Sequence, residues 1–325
     1  TPNRGDCFSV LGVARELAAI NKVKLKLPKI QTIKSTFEDS ISVNVCAEGP
    51  IYCGRTVRNF NMDSVSLPLI AERLRLSDQK LIDPVVDITN YILLELGQPL
   101  HAFDRDKLSG DISVRLAKKK EDLTLLDDQE LVLDDTCLVI SDDKSAVAFA
   151  GIMGGKDTSV TPSTSSIFLE SAYFKPSIIR GKARRFGFQT DASLRFERGI
   201  DYEIQEIALN RATSLLRETV GGEVSSIISD SRAKELPKHK RLNVDIERTN
   251  KILGTTISNS SAKKYFNSLG LSPENTKSGD ISVLSPSWRY DINIEADLVE
   301  ELARMEGYDS LPRESLSPVY KKQIQ

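Results

Sequence analysis

Histidine is scarce in this chain of 325 residues: only His101 and His239 occur. A zinc site built mainly from histidines is therefore excluded, and histidine proton chemistry has two candidates. The four cysteines, Cys7, Cys46, Cys53 and Cys137, contain no Cys-x-x-Cys pair, and a chain of this length needs no covalent staples. They read as reduced thiols, which points to a cytoplasmic protein. No apolar run approaches the ~18 residues of a membrane span, which argues against an integral membrane protein. Charge of one sign is also missing. With 44 basic and 46 acidic side chains the net charge is −2, so a uniformly polybasic nucleic-acid binder is excluded. The opening Thr1-Pro2-Asn3-Arg4-Gly5-Asp6 has neither a Met nor a charged-then-apolar leader, as expected of a piece of a longer chain.

What is present is an ordinary globular balance, 40% apolar and 28% charged, long enough for two domains. Apolar spacing predicts a helix over 6–20 with Asp6 as its cap, and helices over 69–77 and 85–96. The last of these starts after Asp83-Pro84 and ends at Gly97. Alternation predicts a strand over Lys22–Leu27. A hairpin is expected from Ile41–Ala47 and Ile51–Phe60 around Glu48-Gly49-Pro50. Short β runs follow at Ile112–Leu116, Leu131–Leu133, Leu138–Ile140, Ala146–Ala150 and Ile167–Leu169. Residues 121–143 hold nine acids and no base, read as a solvated surface. Helices are expected over 176–186, 191–198 and 202–219. The polar, Pro-containing stretch 231–240 reads as a linker carrying His239. Beyond it the pattern predicts strands near 241–246 and 281–285 and helices near 247–253, 259–269 and 294–306. The class is α+β.

Five constellations could carry chemistry. Gly97-Gln98-Pro99-Leu100-His101-Ala102-Phe103-Asp104 follows a helix end. It presents His101 either to a carbonyl or water, or to a hydrogen bond within its own turn. Ala150-Gly151-Ile152-Met153-Gly154-Gly155-Lys156 lets a backbone turn tightly or a ligand approach closely. Its spacing fits neither a Walker loop nor a dinucleotide fingerprint. Glu170 closes the apolar run Ile167-Phe168-Leu169, as a surface acid or an aimed specificity group. From Arg180 to Arg198 six bases stand against two acids, with Phe186, Phe188 and Phe196 interleaved, which suits phosphate contact or an ion-pair network. Asp297, Glu300 and Glu301 share a helix face near Asp291. Residues 291–306 hold six acids and one base, which suits a hard cation or a solvated face.

Together, Thr1–Ala18, DPVVDITNYILLELGQPLHAFD at 83–104, AGIMGG at 150–155, LESAYF at 169–174, TDASLRFERGID at 190–201 and PSWRYDINIEADLVEELARMEGY at 286–308 resemble the β chain of bacterial phenylalanyl-tRNA synthetase. The resemblance covers nearly the whole sequence. It implies a mixed α/β tRNA-editing domain over 1–230, a linker over 231–240 and a small, helix-rich, winged-helix-like domain over 241–325. In that family phenylalanine activation, with ATP, occurs on the α chain of an α₂β₂ assembly. The β chain's editing domain hydrolyses tyrosine misattached to tRNA(Phe). Carried over, the editing pocket contains Pro99, His101, Gly154, Glu170, Thr190 and Ala192. His101 and Thr190 would hold the ester and the attacking water, and Glu170, with a backbone N–H near Gly154, would read the tyrosine hydroxyl. Asp291, Asp297, Glu300 and Glu301 match the family's Mg²⁺ ligands, associated there with contact to the α chain. Arg180, Lys182, Arg184, Arg185, Arg195 and Arg198 are candidate tRNA contacts. The sequence departs from the family at Leu194, commonly His, and at Asp128, commonly Gly. The alternative role is a non-catalytic scaffold that guides tRNA and holds the α chain.

Overall fold

The computed structural model describes residues 3–276 and 279–312. Thr1 and Pro2 of the first matched motif, and Lys277, Ser278 and 313–325 of the expected second domain, lie outside the described residues. The chain forms two compact units. The first holds residues up to Glu16, Lys24–Lys238 and Ser287–Asp291; the second holds Leu17–Val23, His239–Pro286 and the residues from Ile292.

In the first unit the strand Ser166–Tyr173 lies between Ile51–Arg58 and Leu100–Asp104, antiparallel to both. Glu223–Val224 and Ile228–Ser231 add to the outer side of Ile51–Arg58. Side chains of a strand alternate between its two faces. Ile167, Leu169, Cys53, Val57 and Ala102 therefore turn to one side. There they pack on helices Pro84–Leu96 and Gln205–Thr219 through Ile88, Ile92, Leu209 and Leu216. Phe168, Ala172, Tyr52 and Phe103 turn to the other side, against Val43, Ile112, Val114 and Ile140. These belong to a second sheet ordered Val43–Asn44, Ile112–Leu116, Leu138–Ser141, Ala146–Phe149, Met153–Gly154. Each large side chain fully buried in these layers contributes about 1.5–3 kcal/mol.

Local chemistry sets the element ends that matter for the site. Asp83 accepts from the amides of Val85 and Val86, both at 2.9 Å, with Pro84 in the first turn. Gly97 at φ +80° closes that helix in a conformation costly for a residue with a Cβ. Gln98, fully buried, donates to the carbonyls of Pro99 and Ala172, and Gln205 donates to Gln98. This fixes the entry into Leu100–Asp104.

The second unit has a three-stranded antiparallel sheet, Arg241–Val244, Ile281–Leu284 and Ser272–Asn275. It also carries helices Ile246–Leu253, Asn259–Ser268 and Glu295–Glu306. Its core centres on Val244, Phe266, Ile281, Leu298 and Leu302.

Several expectations are corrected. Residues 100–104 form a strand rather than a loop, because their amides pair with Ser166–Tyr173. Lys22–Leu27 forms no strand: Lys22 turns to φ 54°, and Val23 and Leu27 are exposed without a partner edge. The 41–60 hairpin does not form. Val43–Asn44 pairs in parallel with Ile112–Leu116, while Ile51–Arg58 joins the other sheet. The first helix runs Val10–Ile20, with the Ser9 hydroxyl accepting from the Gly12 amide, while Asp6 pairs with Arg4 instead. The 176–186 helix is broken into Pro176–Ile179 and Lys182–Arg185 by Gly181 at φ +76°.

Candidate functional site

The pairing register builds the site. Glu170 stands in mid-strand, opposite Gly54 on one neighbour and His101 on the other. It is not at a strand end, so its carboxyl lies inside the layer between the sheets, 6% exposed. Gly54 leaves the space beside it for Phe168: a Cβ there would lie 2.1 Å from that ring. His101 packs edge-on against Phe103, ring centroids 4.5 Å apart. Pro99, His101, Gly154, Glu170 and Ala192 line one cavity of about 70 Å³, walled by Ile140, Phe149, Met153 and Phe196. Five of the six residues expected in the pocket thus meet there.

Burial decides the charge state. With only the Tyr52 hydroxyl donating to it, at 3.2 Å, the Glu170 carboxyl is pushed up to about 8. Burial pushes His101 down to about 4. Both are therefore neutral near pH 7. A protonated Glu170 is a hydrogen-bond donor as well as an acceptor. A neutral imidazole this weakly basic positions a group better than it removes a proton. Its buried Nε2 has no hydrogen-bond partner among the described residues. Such an orphan costs about 1–3 kcal/mol, which a bound polar group relieves.

The glycine loop is shaped for close approach. Gly151 takes φ +68° under Phe174 and Phe196, and a Cβ on Gly154 would lie 2.3 Å from the His101 ring. Thr190 is the sixth expected residue and lies outside the cavity lining. Its hydroxyl accepts from the Ser193 amide, capping Asp191–Arg198, and donates to the Ile152 carbonyl at 2.8 Å. It ties the helix carrying Ala192 to the glycine loop, which makes it a positioning residue.

The basic stretch divides. Arg195 is 5% exposed, pairs with Asp191 and donates to the Phe8 carbonyl, so it is a structural cation rather than a surface contact. Its correction follows from helical spacing, which turns it inward with Phe196. Arg185 pairs with Asp134, Lys182 donates to Thr136 and Arg180 to the Glu197 carbonyl. Arg180 and Arg184 are exposed and Arg198 is half-buried.

The acidic set is engaged elsewhere. Arg289 holds Asp291 through two bonds of 2.8 and 2.7 Å. Asp297 accepts from the Asn293 and Ile294 amides at the start of its helix. Glu301 pairs with Arg304, and Glu300 is exposed. Among the described residues no three His, Cys, Asp or Glu converge on a cation position.

Against known proteins, a profile described as the B3/4 domain matches residues 48–221. The chain belongs to the B3/4 domain family. A tRNA synthetase B5 domain profile matches 242–308. Phenylalanine–tRNA ligase β subunits are its curated relatives: 44% identical in Idiomarina loihiensis over 96% of this chain, and 42% in Vibrio parahaemolyticus over 99%. These matches confirm the resemblance read from the motifs. The chain spans about two fifths of those relatives' length, 39% and 40%. A solved N-terminal fragment of the phenylalanyl-tRNA synthetase β subunit from Pyrococcus horikoshii is 18% identical, with TM-score 0.44, covering 94% of this chain and 85% of that one.

Within this B3/4 domain, Tyr52 is the site residue that motif reading missed. It lies in a segment read in sequence only as one arm of a hairpin, and its meeting with Glu170 spans 118 positions. The departure at Asp128 has a local basis: it adopts φ 68° in the turn after Glu121–Thr124 and pairs with Lys156. Leu194 is half-buried and donates its amide to the Thr190 carbonyl.

Proposed function

We propose that this chain is the editing part of a phenylalanine–tRNA ligase β subunit, and that the Glu170 cavity hydrolyses tyrosyl-tRNA(Phe). The observation that carries the reading is a buried, neutral Glu170 beside His101 in an otherwise apolar cavity. Tyrosine differs from phenylalanine by one hydroxyl. A site whose buried polar groups pair with that hydroxyl leaves them unpaired when phenylalanine enters, and such sites discriminate by ~10⁴–10⁵. Neutral Glu170 can both give and accept that hydrogen bond. Hydrolysis adds a water oxygen to the ester carbon and breaks its bond to the tRNA ribose oxygen, which takes a water proton. His101 orients the ester or water, Gly154 and Ala192 leave room, and Thr190 holds the loop. The intact enzyme on this reading is a cytoplasmic α₂β₂ assembly in which the α chain uses ATP to attach phenylalanine. The exposed Arg180 and Arg184 are the proposed tRNA contacts. Mg²⁺ binding by Asp291, Asp297, Glu300 and Glu301 is proposed only for that assembly, since here Asp291 and Glu301 pair with arginines and Asp297 accepts from backbone amides.

The test is release of tyrosine from tyrosyl-tRNA(Phe) by the assembled enzyme carrying this chain. Release is expected. Binding without release would favour the scaffold role. Glu170→Ala should erase the preference for tyrosyl over phenylalanyl ester, and an unchanged preference would sink the recognition role. His101→Ala should cost less than the ~10²–10⁴ of an obligatory general base.

A further inference from the structure

A second cavity, of about 450 Å³, lies wholly within the first unit and shares no residue with the Glu170 site. Leu11, Leu96, Ile204 and Ile207 form an aliphatic side of it, and Gln31, Thr32 and Asn210 add polar groups. One cation, Arg15, and two acids, Asp201 and Glu203, line it. Arg15 lies against Trp288, its guanidinium carbon 4.0 Å from the ring centroid. That half-buried cation makes no hydrogen bond and no ion pair among the described residues, and burial weakens its hold on its proton. Asp201 is near enough to stabilise Arg15 electrostatically, but its carboxylate is held by the Glu203 amide at 3.0 Å and by Ser287.

A cation and two acids beside an aliphatic wall in one cavity are complementary to a ligand carrying both charges. We propose that this cavity binds a free α-amino acid with an apolar side chain. The carboxylate takes the guanidinium donors of Arg15, the ammonium takes Asp201, and the side chain packs among Leu11, Leu96, Ile204 and Ile207. A phosphate or other net anion is opposed by Asp201, and an uncharged apolar molecule leaves the Arg15 donors unpaired. The volume is in the range of small-molecule sites, ~300–1,000 Å³. The inference does not depend on the editing reading.

Trp288 is the only tryptophan in the chain, so its fluorescence reports this cavity and not the Glu170 site. Titration of the 325-residue chain with L-leucine should give a saturable change in its emission. N-acetyl-leucine, which lacks the ammonium, and leucinamide, which lacks the carboxylate, should give none. Arg15→Met and Asp201→Asn should each raise Kd by roughly 10–100-fold, the worth of one charge-assisted hydrogen bond. Calorimetric titration of the same variants, with circular dichroism confirming their fold, keeps the result independent of the tryptophan contact. No saturable binding of leucine by either method, an equal response to the blocked derivatives, or tighter binding of inorganic phosphate would each overturn the proposal.

Discussion

Glu170 and His101 sit side by side on one face of a sheet, and burial moves their protonation in opposite directions, to about 8 and about 4. Each shift is also a statement about stability. Glu170 holds its proton in the folded chain where the unfolded chain has lost it, so its contribution falls as pH rises from about 4.5 to about 8. His101 resists protonation when folded, so its contribution falls as pH drops from about 6.5 to about 4. Glu170→Gln should therefore gain stability relative to the parent as pH rises through the first window. His101→Asn should gain as pH drops through the second, by up to about 3 kcal/mol. Urea unfolding across pH 4–9 checks both, with ~4 and ~9 chosen to bracket the two windows. Because the Tyr52 hydroxyl favours ionised Glu170, Tyr52→Phe should move the Glu170 window to higher pH. A shift to lower pH would contradict that role. Gly154→Val should push on the His101 ring, costing about 1–3 kcal/mol and lowering tyrosyl-ester hydrolysis in single-turnover assays.

At the scale of elements, the site depends on how three segments are tied together. Gln98 pins Leu100–Asp104 to Ser166–Tyr173, and Thr190 pins the Asp191–Arg198 helix to the glycine loop. Thr190→Val keeps the shape but loses both bonds of the hydroxyl. It should cost about 1–2 kcal/mol by thermal unfolding, while Thr190→Ser retains the cap and most of the stability. If Thr190→Ser unfolded as readily as Thr190→Val, the tie would not be the hydroxyl. The elements that were legible in sequence were those with end signals. Asp83-Pro84 with Gly97 brackets a helix by local chemistry. Lys22–Leu27 shows the limit: alternation permits a strand, but a strand exists only where an edge accepts its hydrogen bonds.

At the scale of the whole molecule, the near-zero net charge conceals a distribution that changes how partners are addressed. Arg195 and Arg289 are spent internally, on Asp191 and Asp291, leaving Arg180 and Arg184 among the exposed cations of the basic stretch. Arg184→Ala should weaken tRNA binding in a salt-dependent way without changing the tyrosyl preference, read by titration at two ionic strengths. With Asp291 clamped by Arg289, calorimetry of this chain alone should show no tight stoichiometric Mg²⁺ binding. Tight binding would mean that the carboxylates exchange arginine for metal without the α chain.

By itself, the sequence determined the α+β class, most helices, the short strands of 112–149 and, through the motifs of the resemblance, five residues that meet in the cavity. Periodicity, caps and distinctive motifs are local, and local preferences survive folding. Only the tertiary structure decided that His101 lies in a strand, that Glu170 is in mid-strand rather than at an end, and that Tyr52 is its partner. It also decided which arginines face inward. Those outcomes depend on register and burial across more than a hundred positions of chain, as between Tyr52 and Glu170. Burial, in turn, sets the charge of a carboxyl or an imidazole, and no window of neighbouring residues contains it.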